Sequence, residues 1–236
     1  IVFMKKKANV RDLVEVIMNG VFFLMGMTAI AFVALITVYM FVSGLPAIAK
    51  IGPVDFLLGR TWASTAAQPS YGILPFILTS FFGTLGAVLI GIPVGLLTSV
   101  FLSKIASPRM AAVVSSAVEL LAGIPSVIYG LIGMVVLVPA VASVFGLASG
   151  ACMLTAILVL AVMILPSIIS VSVTALNAVP KEYEEASLAL GATKIETYFK
   201  VSLPAAKSGI AAGIVLGVGR AIGEAMAIIM VAGNVA

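Results

Sequence analysis

The sequence predicts an all-α integral membrane protein, and three observations support this fold class. Hydrophobic residues make up 62% of the 236 residues, and the mean hydropathy is +1.28. Charged residues make up only 9%, whereas a soluble domain carries about 25%. Apolar runs long enough to cross a bilayer recur along the chain. Most of the surface is therefore expected to face lipid.

Five apolar runs reach the roughly 20 residues that a membrane-spanning helix needs. They are residues 18–43, 72–102, 110–138, 151–176 and 208–231. A short head, 1–17, precedes the first run, and a loop, 44–71, follows it. A signal peptide is the alternative for the first run, because Ala47-Ile48-Ala49 resembles a cleavage site. Its apolar core is longer than the about 7–15 residues of a signal peptide, so a retained span is predicted.

The charged residues predict the orientation of these spans. Ten lysines and arginines fall in the head, the 103–109 turn and the polar block 177–207, against two in the opposite loops. Basic loops stay in the cytoplasm, so the N-terminus is predicted to be cytoplasmic and the loop 44–71 external. Met4 is expected as the natural start, and a sixth helix is expected to follow residue 236.

Composition also excludes several classes of function. The chain has no histidine and one cysteine, Cys152, so histidine-ligated metal sites, Ser-His-Asp chemistry and an internal disulfide are excluded. We expect no catalytic residue, no metal and no cofactor. The net charge of +4 is small and dispersed, which argues against nucleic acid as a partner.

The polar block 177–207 has the internal order of a helix–glycine–helix elbow. Pro180 suits a first helical turn, and the acidic residues after it favour the positive end of that helix. Gly191 is a typical C-terminal cap, and Thr193 with Glu196 forms a capping box that begins a second helix. Pro204 is predicted to end that second helix. An inert connector is the alternative interpretation of the block.

Three ionisable residues lie inside the predicted spans: Glu119, Arg220 and Glu224. A charge near the bilayer centre costs at least about 2.5–3.5 kcal/mol, so such residues usually face a pathway or a partner. Arg220 and Glu224 are one helical turn apart and are predicted to pair. Glycines at 209, 213 and 217 predict close helix packing on the same face. A structural ion pair is the alternative for this pair, and an interfacial position is the alternative for Glu119.

A longer pattern in the elbow points to a family. Glu185-Ala186-Ser187, three residues, Gly191, nine residues and Val201-Ser202-Leu203-Pro204 resemble the EAA loop of ATP-binding-cassette (ABC) importer permeases, E-A-A-x3-G-x9-I-x-L-P. Ser187 and Val201 depart mildly from that pattern. The resemblance implies a type I importer permease fold, in which the loop docks on a separate ATPase subunit. It implies that the coupling residues are Glu185, Ala186, Gly191, Leu203 and Pro204.

Two membrane segments narrow the resemblance to the phosphate-specific (Pst) family. GVGRAIGEAMAIIMVAGN, from Gly217, resembles the R-A-[IL]-G-E-[TA]-M-A segment of PstC-type permeases, and LAGIPSVIYGL, from Leu121, resembles their third span. The resemblance implies phosphate import across the bacterial inner membrane, with Arg220, Glu224 and Glu119 on the translocation path. Its implied partners are a second permease subunit, two ATPase subunits and an external phosphate-binding protein. A permease for sulfate or molybdate, and a gradient-driven secondary transporter, are the alternatives.

Overall fold

The computed structural model describes residues 10–233. The chain divides into two compact units, one through residue 74 and one from residue 75 onward. The prediction of a helical membrane protein is confirmed, since the strands found between residues 10 and 233 are two residues long. The basic residues 5–7 and the last residues, 234–236, lie outside the described part of the chain.

The first unit is built on one long helix. Its elements are α1 (Val10–Ile51), α2 (Pro53–Leu58) and an antiparallel pair, β1 (Trp62–Ala63) and β2 (Ser70–Tyr71). The predicted loop therefore begins later than residue 44, because α1 continues through Pro46. An apolar helix accommodates proline by losing a single backbone hydrogen bond. Gly52, with φ 96°, makes the turn into α2.

The second unit holds the remaining helices, and three of its segments are π-helical. In order they are α3 (Leu74–Val100), π1 (Phe101–Ile105), α4 (Pro108–Gly123), α5 (Ser126–Ile132), π2 (Gly133–Leu137), α6 (Val138–Phe145), α7 (Met153–Asn177), α8 (Lys181–Ala189), α9 (Lys194–Thr197), π3 (Tyr198–Ser202), α10 (Leu203–Ala205), α11 (Lys207–Ile222) and α12 (Met226–Val231). Over the described residues, four helices are long and apolar enough to cross a membrane, or five if the bent pair 194–205 and 207–222 forms one span.

Helix α7 lies at the centre of the second unit. Leu160, Ile164 and Ile168 on α7 are fully buried. On α3, a Cβ added to Gly91 would lie 2.6 Å from Cδ1 of Ile164. On α11, a Cβ added to Gly217 would lie 3.0 Å from Cγ1 of Ile168. Gly217, which was predicted to allow close packing, lets α11 approach α7 directly, and Gly91, which was not predicted, does the same for α3.

Two predicted spans are interrupted. The run 110–138 divides into α4 and a crossing segment, 126–145, with extended backbone at Ile124 and Pro125 between them. Proline disfavours helical conformation in the residue before it, and here Ile124 is extended, so the helix is interrupted at this point. The run 208–231 divides at residues 223–225, where α11 ends and α12 has not begun. Gly223 favours an end to the helix because glycine has a low helix propensity.

Candidate functional site

The elbow, residues 177–207, folds as its local signals predict. Gly191 follows α8 with φ 87°, a conformation that costs glycine little. At the start of α9, Thr193 Oγ1 accepts a hydrogen bond from the Glu196 amide at 3.3 Å, and Glu196 Oε2 accepts one from the Thr193 amide at 3.1 Å. The predicted glycine cap and capping box are confirmed.

A pair of hydroxyl groups joins the two helical arms of the elbow, which are α8 and the second arm, Lys194–Ala205. The Ser187 and Thr197 hydroxyls lie 2.9 Å apart, and Thr197 is fully buried. Ser187 is one of the two positions at which the chain departs from the EAA pattern. The departure therefore supplies a hydrogen bond between α8 and the second arm, which an alanine would not make.

Several large apolar side chains are exposed on the elbow, among exposed charged residues. Leu190 is 90% exposed, and Tyr183, Ile195 and Phe199 are also exposed. Among the residues that the resemblance names, Glu185, Ala186, Gly191 and Pro204 are exposed, and Leu203 is half-buried. An apolar patch on a polar segment is typical of a protein-binding surface.

The second arm ends one residue after Pro204, which agrees with the predicted end to within a residue. Proline has no amide hydrogen with which to continue a helix, and the continuous helical segment Lys194–Ala205 stops at the next residue. The chain then bends by 74° into α11. The change of direction therefore comes at Ala206.

Glu184 forms the contact that sequence reasoning missed. Its Oε1 lies 2.6 Å from Lys104 Nζ at the end of the second crossing helix, and it accepts a hydrogen bond from the Ser202 hydroxyl at 2.8 Å. Burial alone would raise the pKa of Glu184, but the hydrogen bonds from Lys104 and Ser202 and the charges of Lys104 and Lys181 outweigh it and lower that pKa. Both partners were visible in the sequence as charges in polar segments, but nothing local indicated that they meet.

Arg220 and Glu224 do not pair, contrary to the prediction. Glu224 lies in the break between α11 and α12, where helical spacing no longer brings position i+4 beside position i. Its Oε1 accepts a hydrogen bond from the Ala227 amide at 3.1 Å instead. Among residues 10–233, no carboxylate lies within ion-pair distance of the Arg220 guanidinium. Both side chains are half-buried.

The two helix breaks come together through α5 and α12. A Cβ added to Gly130 on α5 would lie 3.0 Å from Cα of Ala227 on α12. The Tyr129 hydroxyl donates a 2.7 Å hydrogen bond to the Leu121 carbonyl across the first break. The two helix breaks are therefore neighbours, and we refer to the polar residues beside them, Tyr129 at the first break and Arg220 and Glu224 at the second, as the polar cluster.

Glu119 lies elsewhere in the second unit. It is exposed on α4 and lines a cavity of about 150 Å³ with Ser115 of α4 and Ser170 and Thr174 of α7. No hydrogen bond or ion pair joins Glu119 to Arg220 or Glu224. In the described part of the chain, no three histidine, cysteine, aspartate or glutamate side chains are grouped to hold a metal.

The fold and the elbow agree with one protein family. Residues 91–236 match the family described as binding-protein-dependent transport system inner membrane component. The chain belongs to this family. It is therefore a multi-pass membrane protein with the fold of an ABC importer permease.

Similar proteins share most of the chain. It is 43% identical over 201 residues to the probable ABC transporter permease protein YqgH of Bacillus subtilis, covering 84% of this chain and 65% of that protein. It is 36% identical over 200 residues to the phosphate transport system permease protein PstC of Xylella fastidiosa, covering 77% and 61%. PstC 2 of Mycobacterium tuberculosis is 31% identical over 224 residues, covering 87% and 69%. The chain spans less than two thirds of the length of the first two.

A solved structure shares the fold. The inward-facing MetNI methionine ABC transporter contains a chain that is 26% identical, with a TM-score of 0.51 and coverage of 72% of each chain. The predicted importer permease fold is thus confirmed by the family match and by this structure together.

Proposed function

We propose that this permease translocates inorganic phosphate into the cytoplasm as the PstC-type subunit of an ATP-driven importer. The observation that carries the proposal is the similarity to permeases named for phosphate transport, at 31–37% identity over most of the chain. The half-buried Arg220 supports it, because a planar guanidinium matches the oxygens of a phosphate.

The polar cluster at the helix breaks is the proposed contact with the anion. No described carboxylate pairs with Arg220, so its guanidinium retains the capacity to bind an oxyanion. Glu224 accepts a hydrogen bond from the Ala227 amide. Its negative charge, four residues along the chain from Arg220, would limit how tightly the anion is retained. Glu119 would belong to the cytoplasmic part of the path.

The elbow is the proposed connection to ATP hydrolysis. Its exposed apolar residues and the exposed Glu185, Ala186 and Gly191 would dock on an ATPase subunit, and Leu203 and Pro204 would pass the movement to α11. The proposed assembly contains a second permease subunit, two ATPase subunits and an external phosphate-binding protein. The permease itself makes and breaks no covalent bond.

The proposed topology has the N-terminus and the elbow in the cytoplasm. The contact between Lys104 and Glu184 supports a common side for the end of α3 and the elbow, as the distribution of basic residues predicts. The inner membrane of a bacterium is the proposed location.

The solute is tested by uptake into vesicles that contain the full-length protein with its partner subunits. We expect uptake of radiolabelled phosphate that requires ATP and is inhibited by unlabelled phosphate more strongly than by sulfate or molybdate. Stronger inhibition by sulfate or molybdate would assign another oxyanion, an alternative left open because the relative YqgH is named without a solute. Uptake driven by an ion gradient without ATP would contradict the proposal altogether.

A further inference from the structure

Glu184 brings three helical segments together at one oxygen atom. Its Oε1 lies 2.6 Å from Lys104 Nζ, which belongs to π1, and 2.8 Å from the Ser202 hydroxyl, which belongs to π3. Glu184 itself belongs to α8. The π-helix has a wider turn than the α-helix and often marks a functional position. Two of the three π-helical segments therefore point a polar group at the same carboxylate.

This ion pair differs from the other pair in the elbow. The Lys104 and Glu184 side chains are 11% and 20% exposed, whereas those of Lys200 and Glu196 are 75% and 47% exposed and lie one turn apart in one helical arm. Exposed pairs of the second kind contribute little. A short, partly buried pair with a second hydrogen bond is stronger and better defined. The lowered pKa of Glu184 keeps its carboxylate charged at neutral pH.

The pair connects parts that the chain joins only distantly. Along the chain, the elbow is linked directly to α7 and α11, and it has no direct covalent link to α3. Val100, at the end of α3, also packs in an apolar cluster with partly buried Leu203 and Tyr198. The ion pair adds a directional contact to that cluster, and α3 is in turn packed closely against α7 through Gly91.

Two adjacent glutamates of α8, Glu184 and Glu185, face different neighbours. Glu185 is exposed on the surface proposed to meet the ATPase, while Glu184 is turned toward Lys104. Movement imposed on α8 from outside would therefore reach the end of α3 through the neighbouring side chain.

We propose that Glu184 and Lys104 are positioning residues that transmit movement of the elbow to α3. The inference rests on the proposed coupling role of the elbow. The elbow is joined to α7 and α11 through the main chain, and the ion pair adds α3 as a third crossing segment that the elbow can move. Loss of the pair would leave ATPase docking intact and reduce the amount of solute imported per ATP hydrolysed.

The test uses vesicles containing the complete importer and compares three variants. Two are the single variants Glu184→Gln and Lys104→Gln, and the third is a double variant that exchanges the charges, Lys104→Glu together with Glu184→Lys. Lys200→Gln is the matched control, because it removes the exposed pair of the same elbow and leaves the capping box in place. We expect each single variant to lower the ratio of solute imported to ATP hydrolysed about three- to tenfold. The control is expected to keep the ratio, and the exchange is expected to restore most of it.

A distance measurement separates this inference from the assigned solute. Spin labels at Ile105→Cys and Ala189→Cys, with Cys152→Ser, report the distance between the end of π1 and α8 whatever the importer carries. We expect one narrow distribution in the unmodified complex and in Lys200→Gln, and a broader one in Glu184→Gln. Missing phosphate uptake in the unmodified complex would contradict the proposed function, and the distances would still decide the positioning role.

Three results would overturn the inference. They are an unchanged distance distribution in Glu184→Gln, an equal fall of transport and ATP hydrolysis in the single variants, and an equal effect of Lys200→Gln.

Discussion

The elbow and the polar cluster in the membrane differ in how their structure is determined. Local residues determine the helix ends in the elbow: a glycine with φ 87° follows α8, and a capping box begins α9. The membrane cluster lies where α11 stops and α12 begins again within one apolar run. Hydropathy measures whether a segment prefers lipid, and it contains no information on whether its helix is continuous. Local hydrogen-bonding signals are therefore more informative than composition about where a helix ends.

The largest expected effect tests the membrane cluster. Arg220→Ala should lower phosphate uptake about 100-fold, because loss of a partly buried charged contact costs 2–5 kcal/mol or more. Arg220→Lys keeps the charge without the planar guanidinium, so its phosphate uptake should lie between that of Arg220→Ala and that of the unmodified protein. Uptake is measured as initial rates at several phosphate concentrations. Equal uptake by all three proteins would remove Arg220 from the path.

The contact between the two breaks gives the next effect. Gly130→Ala should destabilise the second unit by about 1–3 kcal/mol, because its new methyl group would meet Ala227 and Met230 in a packed interior. Gly123→Ala is the matched control, since nothing lies within 4 Å of the added methyl group. Apparent Tm in detergent measures the difference. A larger loss in Gly123→Ala would mean that α5 and α12 do not pack as described.

The glycine of the elbow gives a smaller effect. Gly191→Ala should cost about 1–2 kcal/mol, because its φ of 87° is strained for an alanine, although the added methyl group has open space. Gly191→Asn should cost less, because asparagine tolerates this conformation. Retention of the ATPase subunit during purification is the measurement. If both variants lost the ATPase equally, the side chain rather than the backbone would be responsible.

The capping box gives the smallest effect. Thr193→Ala should cost about 1 kcal/mol by removing the acceptor for the Glu196 amide, and Thr193→Ser should cost only a fraction of that. Hydrogen exchange of the amides at the start of α9 reports this local change. Equal protection in Ala and Ser variants would show that other contacts hold the second arm.

The sequence was sufficient for two of the crossing segments, α3 and α7, and for the elbow. Long apolar runs predicted α3 and α7 within a few residues, and Gly191, Thr193 and Glu196 predicted the elbow. Family resemblance to ABC importer permeases was likewise visible in residues 185–204 and is confirmed by the family match.

The missed features depend on whether a helix is continuous and on contacts between distant segments. Arg220 and Glu224 were predicted to pair on the assumption of a continuous helix, and the break gives Glu224 the Ala227 amide as its partner. The pairing of Lys104 with Glu184 required knowing that α3 ends beside the elbow. The continuation of α1 through Pro46 required knowing that an apolar helix accommodates proline there. None of these contacts leaves a periodic signal in the sequence.

The central claim assigns anion recognition to the membrane cluster and ATPase coupling to the elbow. The most direct test measures ATP hydrolysis and phosphate uptake together in complete importers carrying either Arg220→Ala or Gly191→Trp. We predict that Arg220→Ala loses uptake and still hydrolyses ATP, whereas Gly191→Trp loses both because the ATPase no longer engages the elbow. Loss of both activities in Arg220→Ala, or normal uptake in Gly191→Trp, would contradict this division.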